Sequence, residues 1–282
     1  MGAPAAKVSR SGIEPWLTEF TGRGDAPRLL RTRSGGRLYF FDDLVVKVHQ
    51  PGTDATELAQ RLAYCHGPLL APLDPLPRPL PVDGPDLPPS LVTCWPVVEV
   101  LDPDTTPPWT ESARLLAHVH GTPINTPVPG HGWPARVARA VEFALPEFVD
   151  LGRSLLRQVQ GRSEPRRLLH GDWHLGQLGC TDDGWCLLDP EDLGSGDPAW
   201  DLARPAGCWA ADLLSDADWH EFLDGYRAAG GVAIPATGDP WPVLDLPARC
   251  AVYVAATHPE AHDRDTAQAL TDACRRMAQL LP

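Results

Sequence analysis

Lysine is almost absent from this chain. Only Lys7 and Lys47 occur among its 24 basic residues, and no basic run or arginine–aromatic patch takes their place. Together with a formal net charge of −13, this argues against nucleic acid as a partner. It is compatible with a cationic substrate steered by an acidic cleft, and equally with plain solubility. Long apolar runs are missing too, so no membrane span is expected. The start, Met1-Gly2-Ala3-Pro4-Ala5-Ala6-Lys7, lacks the apolar middle of a secretion signal, and Ala6 stands where a myristoylation site wants Ser or Thr. The 7 cysteines are odd in number and scattered, and Cys180 and Cys186 lack zinc-site spacing. Reduced thiols in a cytoplasmic protein are expected. There is no internal repeat and no complete Gly-x-Gly-x-x-Gly. The 282 residues, 43% of them hydrophobic, suffice for one large or two modest lobes around a real core.

What is present concentrates in one stretch. Leu168-Leu169-His170-Gly171-Asp172-Trp173-His174-Leu175-Gly176-Gln177 is followed by an apolar run ending at Asp189. The polar turn Thr181-Asp182-Asp183-Gly184 separates Leu178-Gly179-Cys180 from Trp185-Cys186-Leu187-Leu188, which reads as a β-hairpin. Such a hairpin returns Asp189 beside Gln177. Two carboxylates and an amide at this spacing suit phosphoryl transfer from Mg-ATP, where positioning and charge neutralisation matter more than covalent help. Asp172 orients or deprotonates an acceptor hydroxyl. Gln177 and Asp189 offer the hard oxygens that Mg²⁺ prefers while it keeps several waters.

The compound pattern His170-Gly171-Asp172-x-His174-x-x-Gln177, then Asp189, then Gly196-Asp197-Pro198-Ala199-Trp200-Asp201-Leu202-Ala203 resembles the aminoglycoside phosphotransferase and choline kinase group of the protein-kinase-like fold. Gln177 stands where that group usually has Asn, and the Gly176-Gln177 form resembles maltokinases and glucosamine kinases. The resemblance implies an α+β, two-lobed fold: a small antiparallel-sheet N-lobe over residues 1–96 that covers the nucleotide, a hinge at 97–100, and a larger, mostly helical C-lobe over 101–282 with the catalytic loop and acceptor site. It also implies ATP (or another nucleoside triphosphate) and Mg²⁺ as cofactors, a small-molecule hydroxyl as acceptor, and structural support from His170, His174, Asp197 and Asp201. Asp201 is expected to accept backbone N–H bonds from the catalytic loop, because a buried carboxylate needs such donors.

The rest of the chain is compatible with that order. Arg28–Arg33, Arg37–Phe41 and the β-branched run around Lys47 read as antiparallel strands, joined by Ser34-Gly35-Gly36. Lys47 becomes the phosphate-binding lysine, with a snorkelling edge lysine as the plainer alternative. Ser34 and Gly35 are candidates to approach phosphate, or merely to turn a hairpin. A helix over 53–64, capped by Thr53 or Asp54, carries Glu57, which either pairs with Lys47 or is a surface glutamate placed by the helix dipole. Short strands at Leu69–Leu73 and Ser90–Trp95 close the sheet. Pro96 has no N–H, so Val97 or Val98 would donate to an adenine. Helices are expected over 112–120, in two patches within 134–160, and over 199–214, 216–229, 246–257 and 265–281. Glu191, Asp192 and Asp224 are candidates to grip a cationic acceptor. An antibiotic kinase, a sugar or amino-sugar kinase, a kinase of Ser/Thr hydroxyls in a natural-product precursor peptide, and an inactive nucleotide-binding module all remain open.

Overall fold

Alternation decides the first sheet. In β3 (Leu44–Val48), successive side chains point to opposite faces, and all five residues are buried. Leu44, Val46 and Val48 share one face with Tyr39, Phe41, Leu80 and Val92, and Leu17 of α1 (Glu14–Thr21) covers it together with Ile13, which precedes that helix. Val45 faces the other way, onto Leu58 and Leu62 of α2 (Ala55–Leu62). Lys47 shares the parity of Val45. It lies opposite Leu38 of β2 (Arg37–Phe40) and Thr93 of β5 (Leu91–Pro96), and is 7% exposed. With β1 (Arg28–Arg31) and β4 (Arg78–Pro79), these strands form a five-stranded antiparallel sheet in the order β1-β2-β3-β5-β4.

This computed structural model describes residues 13–24, 26–32, 36–80, 89–102, 104–162 and 165–281. Ser34 and Gly35 lie outside the described residues. The chain divides into two compact units, Met1–Glu99 and Val100–Pro282. The boundary falls in β6 (Glu99–Val100).

The second unit is mostly helical: α3 (Trp109–Gly121), α4 (Trp133–Glu142), α5 (Val149–Gln160), α6 (Ala203–Ala210), α7 (Asp216–Ala228), α8 (Trp241–Ala256) and α9 (Arg264–Gln279). Between α5 and α6 run β7 (Arg167–Leu169), β8 (Leu178–Thr181), β9 (Gly184–Leu187) and β10 (Gly194–Gly196). β8 and β9 form the expected hairpin, with Thr181 opposite Gly184. β7 pairs antiparallel with β10. Trp133, Val137, Leu151, Leu155, Trp200 and Tyr253 pack into one core, and the rings of Trp133 and Trp200 stack at 5.4 Å. α3 packs on α7, and α6 on α8.

Several boundaries differ from the sequence expectation. Asp54 alone caps α2, accepting from the N–H groups of Thr56 and Glu57. The stretch from Leu69 to Leu73 is not a strand. It contributes the bond from Leu73 N to Cys94 O, and β4 takes the sheet edge. The helix expected from 199 begins at Ala203, after a 3₁₀ turn over Pro198–Trp200. α8 starts five residues early, because Pro242 sits in its first turn, where a missing N–H costs nothing.

Candidate active site

The loop after β7 is held from beneath by a buried carboxylate. Asp201, 1% exposed, accepts His170 N–H at 2.7 Å on Oδ2 and Gly171 N–H at 2.8 Å on Oδ1. His120 Nε2 of α3 donates to the same Oδ2 at 2.9 Å. Behind it, His120 Nδ1 lies 2.7 Å from the Tyr226 hydroxyl, which accepts Ala233 N–H at 3.0 Å. Burial alone would raise the Asp201 carboxyl. The hydrogen bond and charge of His120, the charge of His170 and the Gly171 amide outweigh it, and the pKa is lowered.

His170 ties this loop to the hairpin. Its Nε2 donates to Leu188 O at 2.7 Å, next to Asp189. Leu188 N–H in turn donates to Gln177 O at 2.8 Å, so the hairpin brings Gln177 and Asp189 together at its open end. The Gln177 side chain is buried, and Asp189 adopts the left-handed conformation, φ 56°. Among the described residues no three of His, Cys, Asp and Glu cluster as metal ligands. A carboxylate plus an amide carbonyl is instead the sparse hard-oxygen set that suits a heavily hydrated Mg²⁺.

Asp172 follows the turn at Gly171, and Trp173 anchors it from the other side. Trp173 is buried and packs on Phe222 of α7, centroids 5.1 Å apart. Two guanidinium groups reach Asp172 Oδ1. Arg204, from α6, donates to it through Nη2, and Arg136 Nη2, from α4, lies at 3.1 Å. Arg136 also donates to Gly171 O at 3.2 Å and to Asp192 Oδ2 at 3.0 Å, and lies 4.9 Å from the Trp133 ring centroid. Asp172 Oδ2 accepts no hydrogen bond from a described residue.

His174 is half-buried and accepts Gly176 N–H on Nδ1 at 3.0 Å. Burial first, then the charge of Arg204, push its pKa down to about 4, against the pull of Asp172. Asp197 accepts from Arg162 at 2.9 Å and from Ala199 N–H at 3.0 Å. Burial pushes the Asp192 carboxyl up, although Arg136 opposes it.

The structure thus gathers Asp172, His174, Gln177, Asp189 and Asp192 around one loop cluster, with His170, Asp197 and Asp201 beneath. Glu191 lies in the 3₁₀ turn after Asp189, partly buried. Asp224 is apart from them, on the exposed side of α7. Of the two roles open to Glu57, the structure shows the surface one: its half-exposed carboxylate pairs with Arg61 of its own helix at 3.2 Å rather than with Lys47. Val97 N–H donates to Asp43 O at 3.4 Å, and Val98 is partly buried beside it. Arg136, Arg204, His120 and Tyr226 had no role in the sequence reading. Arg204 directly follows the Gly196–Ala203 run, a proximity that could have flagged it. Arg136 carries no local signal.

Comparison with known proteins bears on this arrangement. A model of the phosphotransferase enzyme family matches residues 16–245. No curated protein matches. Among solved structures, a choline/ethanolamine kinase family protein from Mesorhizobium loti superposes with a TM-score of 0.64 at 15% identity, covering 96% of this chain and 93% of that one. An amicoumacin kinase solved with AMP-PNP, Ca²⁺ and Ami gives 0.66 at 12% identity over 95% and 94%. A GDP complex of an aminoglycoside 2'-phosphotransferase gives 0.57 at 13% identity over 93% and 95%. At these identities the likeness shows the fold, which is α+β and protein-kinase-like. Because the family match spans well over half of the chain, this protein belongs to the phosphotransferase enzyme family.

Proposed function

We propose that this phosphotransferase moves the γ-phosphoryl group of ATP, or another nucleoside triphosphate, to an alcohol hydroxyl of a small molecule. The observation that carries the reading is the half-open Asp172 carboxylate. Oδ1 is fixed by two arginines, while Oδ2 is left to accept the acceptor's proton. The acceptor oxygen then bonds to the γ-phosphorus as the bond to the departing nucleoside diphosphate breaks, and the proton passes to Asp172.

Gln177 and Asp189 would hold Mg²⁺, which neutralises phosphate charge when bound. Lys47, buried on its strand, neutralises the nucleotide phosphates. Adenine contact falls to Val98 more readily than to Val97, whose N–H already has an acceptor. Ser34 and Gly35 remain candidates for phosphate approach. The net charge of −13 is compatible with a cationic acceptor; of the two remaining acidic candidates, Glu191 stands beside Asp192 in the loop cluster and Asp224 lies apart on α7. Two guanidinium groups beside Asp172 weigh against an ammonium directly next to the reacting hydroxyl, and Asp192 is already engaged by Arg136.

None of the described helices is long and apolar enough to cross a membrane. We place the protein in the cytoplasm, acting on a diffusible substrate.

The test is a panel of alcohols, sugars and aminoglycosides with Mg-ATP, read by ADP release, run beside Asp172→Asn. The variant is expected to lose about 10²–10⁴-fold in kcat with an unchanged KM for ATP. Equal turnover by both proteins would remove Asp172 from its role.

A further inference from the structure

The charges around Asp172 do not balance during the reaction proposed above. Arg136 is matched twice, by Asp172 at 3.1 Å and by Asp192 at 3.0 Å. Arg204 is matched once. Among the described residues Asp172 is the only group that it pairs with or hydrogen-bonds to. A guanidinium carries five N–H donors, so most of those on Arg204 are unspent. Its side chain is 37% exposed, open enough to be reached from solvent. Burial nevertheless pulls the Arg204 pKa below the usual arginine value, and Asp172 only partly restores it. Once Asp172 takes the acceptor's proton it becomes neutral, and Arg204 loses its only ion-pair partner among the described residues, with Asp192 left as a weaker negative charge.

The direction of approach matters as much as the count. The groups assigned to metal and nucleotide in this unit, Gln177 and Asp189, flank the open end of the hairpin. Arg136 and Arg204 come from α4 and α6. Arg136 is fixed before any ligand arrives, by Gly171 O, Asp192 and the Trp133 ring. Arg204, with one contact, is the one available to turn outward.

We propose that Arg204, with Arg136 beside it, receives an anionic group of the acceptor, a carboxylate or a phosphate carried close to the hydroxyl that is phosphorylated. A planar guanidinium fork matches the oxygens of either group. The substrate class is therefore an acidic hydroxy compound. The inference rests on the reading of Asp172 as the base. An ammonium at the same place would meet two positive charges.

Two matched series test it with the full-length protein and Mg-ATP: glycerol, glycerate, glycerol phosphate and serinol, then glucose, glucuronate and glucosamine. KM for the anionic members is expected to be at least about tenfold below that of their neutral and ammonium counterparts. Arg204→Gln should erase that preference, and Arg204→Lys should keep part of it. In melting experiments, inorganic phosphate should stabilise the wild type and not Arg204→Gln, while Mg-ATP stabilises both. The proposal is overturned by a preference for the ammonium members or by a preference that survives in Arg204→Gln. It is equally overturned if phosphate stabilises neither protein. A fall in kcat of equal size for every acceptor, with KM unchanged, also overturns it, because the guanidinium then serves the transferred phosphoryl group. Failure of the phosphotransferase reading looks different: Mg-ATP neither stabilises the protein nor is consumed with any acceptor.

Discussion

Asp201 Oδ1 accepts the backbone N–H of Gly171 at 2.8 Å, one residue before Asp172. A side chain distant in sequence thus fixes the backbone that aims the proposed base. Asp201→Ala would strand the His170 and Gly171 amides and the His120 imidazole in a dry interior. A loss of roughly 2–5 kcal/mol is expected, seen as a lower melting temperature, with kcat falling in parallel. Because the folded pKa of Asp201 is lowered, its contribution is present above the ordinary carboxylate range and is lost as acid protonates it. Wild type should therefore lose stability on acidification below about pH 4 more steeply than Asp201→Asn does. Parallel acid profiles would mean that the carboxylate charge is not what holds the loop.

How much of this was legible depends on the range of the interaction. The hairpin was readable because Thr181-Asp182-Asp183-Gly184 is local turn chemistry between alternating apolar runs, and the structure pairs Thr181 with Gly184. The start of α2 was readable from the capping residues Thr53 and Asp54, of which Asp54 takes the role. β10 was not readable. Gly194-Ser195-Gly196 has no strand propensity, and glycine is needed there because a Cβ at Gly194 would lie 2.8 Å from the His131 backbone. The meeting of Arg136 and Arg204 on one oxygen depends on where α4 and α6 pack, which no local pattern encodes. Glu57 shows the converse. The sequence left it either paired with Lys47 or on the helix surface, and Arg61 one turn away decides it for the surface.

Gly171 is the narrowest point of the loop. Its φ is +82°, and a Cβ there would stand 2.0 Å from Asp192 O. Gly171→Ala must push the Asp172 backbone away from the segment that follows Asp189. Both stability, by about 1–3 kcal/mol, and kcat should fall. Gly184→Ala is the control. Its φ is +109° but nothing lies within 4 Å, so it should cost stability of about 1 kcal/mol and leave turnover alone. Equal kcat losses in both variants would show that backbone strain, not the contact with Asp192, governs activity.

His174 makes stability depend on pH above the range of the carboxylates. Folding holds its pKa near about 4, against an ordinary value of 6.5, and its Nδ1 lone pair accepts Gly176 N–H. Between those values the unfolded chain binds a proton that the folded protein refuses, so stability declines as pH falls from about 6.5 towards 4. His174→Gln should flatten denaturation midpoints across that window. Burial leads the depression and Arg204 adds to it, so Arg204→Gln should raise the His174 pKa in an NMR titration. An unchanged titration would place the Arg204 charge too far from the ring to matter.

Lys47 and Glu57 separate by the same logic of burial. Lys47 is 7% exposed on a central strand, where a charged group persists only if something uses or compensates its charge. Glu57 is 53% exposed and belongs to an i,i+4 pair of the kind worth about 0.3–0.5 kcal/mol. Lys47→Ala is therefore expected to raise KM for ATP by about tenfold or more, since a charge-assisted contact to phosphate is lost. Glu57→Gln should shift KM by less than about twofold, because only a surface pair with Arg61 is removed. Initial-rate measurements against ATP concentration distinguish the two. Comparable increases in KM would mean that Glu57 leaves Arg61 and braces Lys47 once the nucleotide is bound.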